Sequence, residues 1–239
     1  MKRWTEYIRK LFFPPRCAVC AEVLMTREWD GFLCAACAKE IPYLAMGKCP
    51  FCGMQTDDRG FCEACLRTFA FSSACGVFPY KTVRKAIHLY KYDGGKRLSA
   101  GMGTLMANYL KACQKPILEQ TDLLLSVPLH PKKEKRRGFD QTELLCLQIA
   151  AQTGLEYRKA VLKRTKHTVA QSKLKPEERK RNLKNVFAVT EDVRGKRILL
   201  VDDIFTTGTT CHECAKVLLR AGAARVSVCC LAVARAEES

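Results

Sequence analysis

Four C-x-x-C pairs lie between residues 17 and 65 of this 239-residue chain: Cys17 and Cys20, Cys34 and Cys37, Cys49 and Cys52, Cys62 and Cys65. The bend in each pair turns two sulfurs to the same side, and two such knuckles complete a tetrahedral four-thiolate site of the structural zinc type. In Cys49-Pro50-Phe51-Cys52-Gly53 the proline and trailing glycine suit a tight knuckle. A stretch of about 70 residues with few long apolar runs cannot bury a core of its own, so metal is expected to supply its folding energy. Two zinc ions are expected. Sequential pairing gives one site from Cys17, Cys20, Cys34 and Cys37 and another from Cys49, Cys52, Cys62 and Cys65, and a cross-braced pairing fits the spacing equally well. Iron–sulfur ligation and redox pairs are the competing readings, although four redox pairs in succession would be unusual.

The remaining seven of the fifteen cysteines are scattered. That contrast predicts a small zinc-ribbon module over residues 1–70 and one larger domain over residues 71–239. Near the start, only Leu11-Phe12-Phe13 forms an uninterrupted apolar stretch, short of a secretory segment. No apolar run approaches the ~18 residues of a membrane span. The expectation is a cytoplasmic protein with reduced thiols and no membrane insertion. Lysine and arginine number 41 against 24 acidic residues, a net charge of +17. Residues 128–185 hold 16 of those bases and only 6 acids, a field that attracts phosphates, pyrophosphate or nucleic acid, or else a solvated basic surface.

Beyond residue 76 the pattern alternates. Strands are expected at Gly76 to Tyr80, Leu123 to Val127, Arg197 to Val201 and Val226 to Val233. Helices are expected over Val83–Tyr92 and Leu98–Cys113, from the cap at Asp140 to Gly154, and from Thr210 to about Gly222. Apolar strands separated by helices predict an α/β fold whose parallel sheet is covered on both faces, with its ligand beyond the carboxyl ends of the strands. Two loops then fall at the active edge, Pro128 to Phe139 and Asp202 to Thr210.

The most specific string is Ile198-Leu199-Leu200-Val201-Asp202-Asp203-Ile204-Phe205-Thr206-Thr207-Gly208-Thr209-Thr210. A buried strand delivers two carboxylates, then a hydroxyl-rich turn, then a helix N-terminus. The turn and helix offer N–H groups, hydroxyls and a positive dipole end to a phosphate monoester. The carboxylates accept from a vicinal diol. A ribose 5-phosphate meets both demands, with hydroxyls on Asp202 and Asp203 and phosphate against Thr206, Thr207, Gly208, Thr209 and Thr210. The sequence G-x-x-x-x-G-K-[ST] is absent, so a P-loop nucleoside triphosphatase is not supported.

At these residues the chain resembles the type I phosphoribosyltransferases. It further resembles the ComF (competence protein F) family in Val127-Pro128-Leu129-His130-Pro131, the basic run, Arg137-Gly138-Phe139-Asp140-Gln141, and Thr168, Gln171, Leu174, Arg179, Asn182 and Phe187. The four C-x-x-C pairs complete the match. Asp140 stands where the family usually has Asn, and Glu134 interrupts the basic run. The resemblance implies displacement of pyrophosphate from C1 of phosphoribosyl pyrophosphate with Mg2+ bound. Asp202 and Asp203 would be catalytic, and the loop Leu129 to Arg137 would face the pyrophosphate, with Leu129, His130, Lys132 and Lys133 as its contacts. Arg164 to Gln171 would form a cover. Magnesium would be held largely by the pyrophosphate.

The family's association with the uptake and handling of single-stranded DNA implies that DNA as a partner, together with proteins of a DNA-uptake machine. Phe69, Phe71, Tyr80, Tyr90 and Tyr92 are compatible with base stacking, although aromatics at such spacing are more often core. A non-catalytic nucleic-acid binder or adaptor with a vestigial site is the alternative to an enzyme, and the acceptor base is left open. Cys211, Cys214, Cys229 and Cys230 read as packing thiols, and His130 as either a pyrophosphate contact or a turn stabiliser.

Overall fold

The computed structural model describes residues 17, 19–20, 22–24, 32–40, 44, 47–56, 60–92, 96, 98–165 and 186–234. The cysteine-rich stretch supplies two short helices, α1 (Ala35–Glu40) and α2 (Glu63–Leu66). Then follow β1 (Ser73–Pro79), α3 (Tyr80–Tyr92), α4 (Leu98–Cys113), α5 (Lys115–Glu119) and β2 (Leu123–Ser126). Next come α6 (Pro131–Arg137), α7 (Gln141–Thr153), β3 (Glu156–Tyr157), β4 (Leu162–Arg164) and β5 (Phe187–Val189). The order closes with β6 (Arg197–Phe205), α8 (Thr209–Arg220) and β7 (Arg225–Val233).

Five strands form one sheet in the order β1-β7-β6-β2-β3, and every neighbouring pair is parallel. The chain leaves β2 outward to β3, then returns to β6 on the other side of β2 and continues outward to β7. Connections therefore diverge between β2 and β6, and their carboxyl ends flank the crevice where sheets of this type bind ligands.

Both faces of the sheet are buried, which explains the unbroken apolar strands. Along β6, Leu199 and Val201 pack with Ile87 and Tyr90 of α3, Met102 and Leu105 of α4, and Leu145 and Ile149 of α7. Ile198 and Leu200 pack on the opposite side with Cys211, Cys214 and Leu218 of α8. The cysteine stretch joins both cores. Cys17, Phe32, Leu33, Cys34 and Cys37 belong to the first, and Cys49, Phe61, Cys62, Leu66 and Phe71 to the second.

Local signals set several boundaries. Helix α4 spans the residues expected of it. Asp140 caps α7 by accepting from the N–H groups of Thr142 and Glu143, and the helix stops at Gly154 in the left-handed region. Other elements differ from expectation. β1 and α3 begin at Ser73 and Tyr80, and β6 runs through both aspartates to Phe205. The continuation follows from pairing with β7, Asp202 opposite Cys230 and Phe205 opposite Val233. The expected loop Pro128 to Phe139 contains α6, and the antiparallel pair β4–β5 is not signalled by the sequence pattern. Thr168, Gln171, Leu174, Arg179, Asn182 and most of the expected cover lie outside the described residues. Among the described residues no helix is long and apolar enough to cross a membrane.

An ion pair stitches the switch-point strands together. Asp122 Oδ2 accepts from Arg197 N at 2.9 Å and Nε at 3.0 Å, and Oδ1 accepts from Nη2 at 2.6 Å. The Arg197 guanidinium holds the Asp122 carboxyl below the usual carboxylate range. A depressed folded-state pKa contributes stability above the unfolded value of about 3.9, and that contribution fades as pH falls toward the folded pKa. The stability deficit of Asp122→Asn in urea melts should therefore be constant above about pH 5 and shrink below about pH 4.

Candidate active site and metal centres

The cysteines converge in two sets, Cys17, Cys20, Cys34 and Cys37, and Cys49, Cys52, Cys62 and Cys65, with all sulfurs of a set within 4.8 Å of one another. Pairing is thus sequential, and the cross-braced alternative is set aside. Four sulfurs at ~2.3 Å from a tetrahedral zinc stand ~3.8 Å apart. Cys20 and Cys34 sulfurs are 3.7 Å apart, and those of Cys52 and Cys62 are 3.5 Å apart. The donor sets therefore fit structural Zn2+ with no free coordination position. Burial raises the Cys17 thiol, but backbone N–H groups around its sulfur outweigh it and bring the pKa down to about 7. Burial drives Cys37 and Cys65 upward, so a dication is what makes all four members of each set thiolates.

At the end of β6 the chain turns through Thr206 and Thr207 into α8. Gly208 caps that helix at φ 71°, and its carbonyl accepts from His212 N at 2.8 Å. The hydroxyls of Thr207 and Thr209 are 2.9 Å apart. Asp202, Thr206, Thr207, Gly208, Thr209 and Thr210 share the lining of one small pocket of ≈ 30 Å³. The structure thus brings Asp202 together with all five residues expected to hold phosphate.

Asp203 has different company. Successive strand residues face opposite ways, and Asp203 meets Lys91 Nζ of α3 at 2.7 Å and Gln141 Nε2 of α7 at 3.1 Å. Gln141 in turn accepts from Arg137 Nη1 at 2.6 Å. Asp202 Oδ1 accepts from Asp203 N at 2.8 Å, and its other oxygen is 3.8 Å from Cys211 Sγ. Burial, then the charge of Asp203, pushes the Asp202 carboxyl up to about 8. Burial acts on Asp203 too, but the Lys91 ammonium more than offsets it and holds that carboxyl low. The same strand end thus raises the pKa of one neighbour and lowers that of the other.

The residues expected to face pyrophosphate fall at the start of α6. His130 Nδ1 accepts from Lys132 N at 3.1 Å, so this histidine serves as a helix cap. Leu129 N donates to Asp140 Oδ2 at 3.4 Å. Lys132 is exposed, whereas Lys133 is half-buried. Burial, then Arg137 and Lys91, lowers the Lys133 ammonium pKa. Arg137 Nε is buried with no hydrogen-bond partner among the described residues.

Lys91 and Gln141 were not singled out from the sequence as site residues, whereas Arg137 ends the loop expected to face the pyrophosphate. Arg137 and Gln141 lie within a quoted motif, but nothing in the helical pattern of α3 marks Lys91. Cys211, Cys214, Cys229 and Cys230 are buried, as expected of packing thiols. Phe71 and Tyr90 are buried and cannot stack on a base, whereas Tyr92 is 48% exposed.

Two four-thiolate knuckle pairs, together with a parallel sheet ending in paired aspartates and a threonine loop, define a zinc-ribbon protein of the type I phosphoribosyltransferase fold. Family models agree: a double zinc ribbon domain matches residues 8–66, and a phosphoribosyl transferase domain matches residues 145–239. DNA utilization protein YhgH of Salmonella typhimurium is 32% identical over 225 residues, spanning 92% of this chain and 98% of that protein. Competence protein F of Haemophilus influenzae is 27% identical, over 91% of this chain and 96% of its own length. Competence protein ComFC of Streptococcus pneumoniae is 28% identical, over 85% and 88%. The chain belongs to the ComF family.

Proposed function

We propose that this protein binds phosphoribosyl pyrophosphate with Mg2+ at the carboxyl ends of β2 and β6, and that it serves competence and DNA uptake by binding single-stranded DNA. The names of its relatives, which speak of DNA utilization and of competence, support the competence role. The organisation is a zinc-ribbon module over residues 1–70 and a transferase-type domain over residues 71–239. Thiolate zinc sites suit the reducing cytoplasm. One observation carries the ligand reading: Asp202 lines a single pocket with Thr206 to Thr210.

In this reading the 5-phosphate takes the loop's N–H groups, hydroxyls and helix dipole. Ribose hydroxyls donate to Asp202 and Asp203. Lys133 and the unpaired Nε of Arg137 meet the pyrophosphate, where cations stabilise leaving-group charge as the bond to C1 breaks. The backbone of Leu129, the His130 cap and Lys132 complete that wall. Mg2+, carried largely by the pyrophosphate, supplies charge neutralisation, and the hard oxygens of Asp202 and Asp203 suit it. Pentosyl transfer as chemistry requires an acceptor that attacks C1 as pyrophosphate leaves.

Asp203→Asn should abolish saturable phosphoribosyl pyrophosphate binding and leave DNA affinity almost unchanged. Retained binding in the variant would contradict the assignment.

A pH dependence follows as well. Asp202 carries a proton below about 8. To accept from a diol it must release that proton, so affinity should rise from about pH 6 to 8.5 and level off above. Calorimetry in buffers of different ionisation enthalpy should register up to about one proton released at pH 7. Asp202→Asn should lack both the slope and the release.

The second reading is a nucleic-acid-binding or adaptor protein whose transferase site is vestigial. A cavity of ≈ 650 Å³ favours it, lined by Arg84, Lys85, His88, Lys91 and Tyr92 among others. Arg136 and Arg137 lie 5.4 and 5.3 Å from the Tyr92 ring centroid. Under that reading DNA binding falls steeply with salt and is indifferent to Asp203→Asn.

A further inference from the structure

The two zinc sites differ in what they touch. Cys17, Cys34 and Cys37 of the first set belong to the core that includes residues of α3 and α4, and among the described residues none of them shares a core with Phe205. The second lies in the core that includes Phe205, the last residue before the loop. Phe51 sits inside its first knuckle and Phe61 directly precedes Cys62. Phe205 is the hub of the rings around it: centroids of Phe61, Phe51, Phe69 and Phe71 stand 4.9, 5.6, 5.6 and 6.2 Å away, all close to edge-on. Such edge-to-face pairs stabilise beyond their burial and fix relative orientation.

The loop rests directly on this cluster. A β-carbon at Gly208 would come within 2.4 Å of Phe205 Cζ and 2.5 Å of Phe69 Cε1. A hydrogen bond spans the same junction. Ala70 N donates to His212 Nδ1 at 3.0 Å, and His212 N donates to the Gly208 carbonyl at 2.8 Å. From Cys49 to Gly208 there is thus an unbroken run of packed rings and hydrogen bonds.

We infer that the second zinc site, through Phe51, Phe61, Phe69 and Phe205, is a positioning element that holds the loop Thr206–Thr210 in its anion-binding shape, and that the first zinc site is not. The consequence for ligand binding rests on the function proposed above, whereas the consequence for loop order does not.

The test is amide hydrogen exchange in the full-length, zinc-loaded protein. Cys20 and Cys52 are the exposed ligands of the two sets, which makes them a matched pair. Cys52→Ser should speed exchange at Thr206 to Cys211 by about tenfold or more, while Cys20→Ser leaves those amides as in the wild type. Equal effects of the two variants, or none from Cys52→Ser, would overturn the inference.

If Cys52→Ser also exposes Leu124 and Leu125 at the sheet centre, it has unfolded globally and Phe69→Ala decides. That variant should retain two zinc ions, exchange faster at the loop, and bind ribose 5-phosphate about tenfold more weakly. Phe69→Leu should recover part of each effect. Unchanged loop exchange in zinc-replete Phe69→Ala would again overturn the inference. Failure of ribose 5-phosphate to bind the wild type at all would count against the proposed ligand, with the exchange result still deciding the positioning role.

Discussion

Removal of both zinc ions by a strong chelator is expected to unfold far more than the cysteine stretch. Cys17, Cys34, Cys49 and Cys62 are all buried within the two cores that cover the sheet. A structural four-thiolate zinc contributes roughly 10–16 kcal/mol of apparent binding free energy at neutral pH. A whole domain is usually stable by only about 5–15 kcal/mol. Loss of two such sites should therefore take Phe32, Leu33, Phe61 and Phe71 out of their packing and carry the sheet with them. Near-ultraviolet circular dichroism and a thermal melt, followed against zinc release, will read this. The expected result is one coincident loss of tertiary signal and zinc. A melting transition that is unmoved after two equivalents of zinc have gone would show that the sheet domain stands without the ribbons.

Gly208→Val should produce the second large effect. Residue 208 adopts φ 71°, which costs an L-residue about 1–2 kcal/mol, more when it is β-branched. The added carbons would also meet Phe205 and Phe69 at 2.4 and 2.5 Å. Overpacking of that kind typically costs about 1–3 kcal/mol. The combined destabilisation, about 2–5 kcal/mol, should be visible in a urea melt. Because the loop must move off its aromatic bed, ribose 5-phosphate binding should fall by about a hundredfold or more. Two zinc ions per chain should remain. Wild-type affinity in this variant would mean that the loop is not the phosphate site.

The contrast between what could and could not be read from the sequence follows the range of the forces involved. Helix α4 declares itself through apolar residues at helical spacing, and α7 through Asp140 and Gly154, because caps act within one turn. The threonine loop is legible for a similar reason: one contiguous stretch contains strand, carboxylates, turn and helix start. Helix α6 is not, since its basic run has no apolar stripe and depends on the His130 cap and Pro131 in its first turn. Extension of β6 through Asp202 and Asp203 depends on β7, which arrives later in the chain. Lys91 is hidden most completely. It ends a helix far along the chain from Asp203, and only the packing of α3 beside the end of β6 brings the two within 2.7 Å.

The same holds for the aromatics. Spacing alone left Phe71 and Tyr90 available for base stacking, yet both are buried, Phe71 against Phe69 and Phe205, and Tyr90 with its hydroxyl donated to the Gln141 carbonyl. Cysteine pairing was open for a comparable reason. C-x-x-C spacing fixes each knuckle but not which knuckles meet, and the folded chain joins neighbours in sequence.

The proposed phosphoribosyl pyrophosphate site comprises Asp202, Asp203 and the loop at Gly208. Its most direct test is calorimetric titration of the zinc-loaded protein with phosphoribosyl pyrophosphate and Mg2+, run beside Asp203→Asn. Saturable one-site binding in the wild type and its loss in the variant are expected. Absence of heat in both proteins, or equal binding in both, would contradict the proposal.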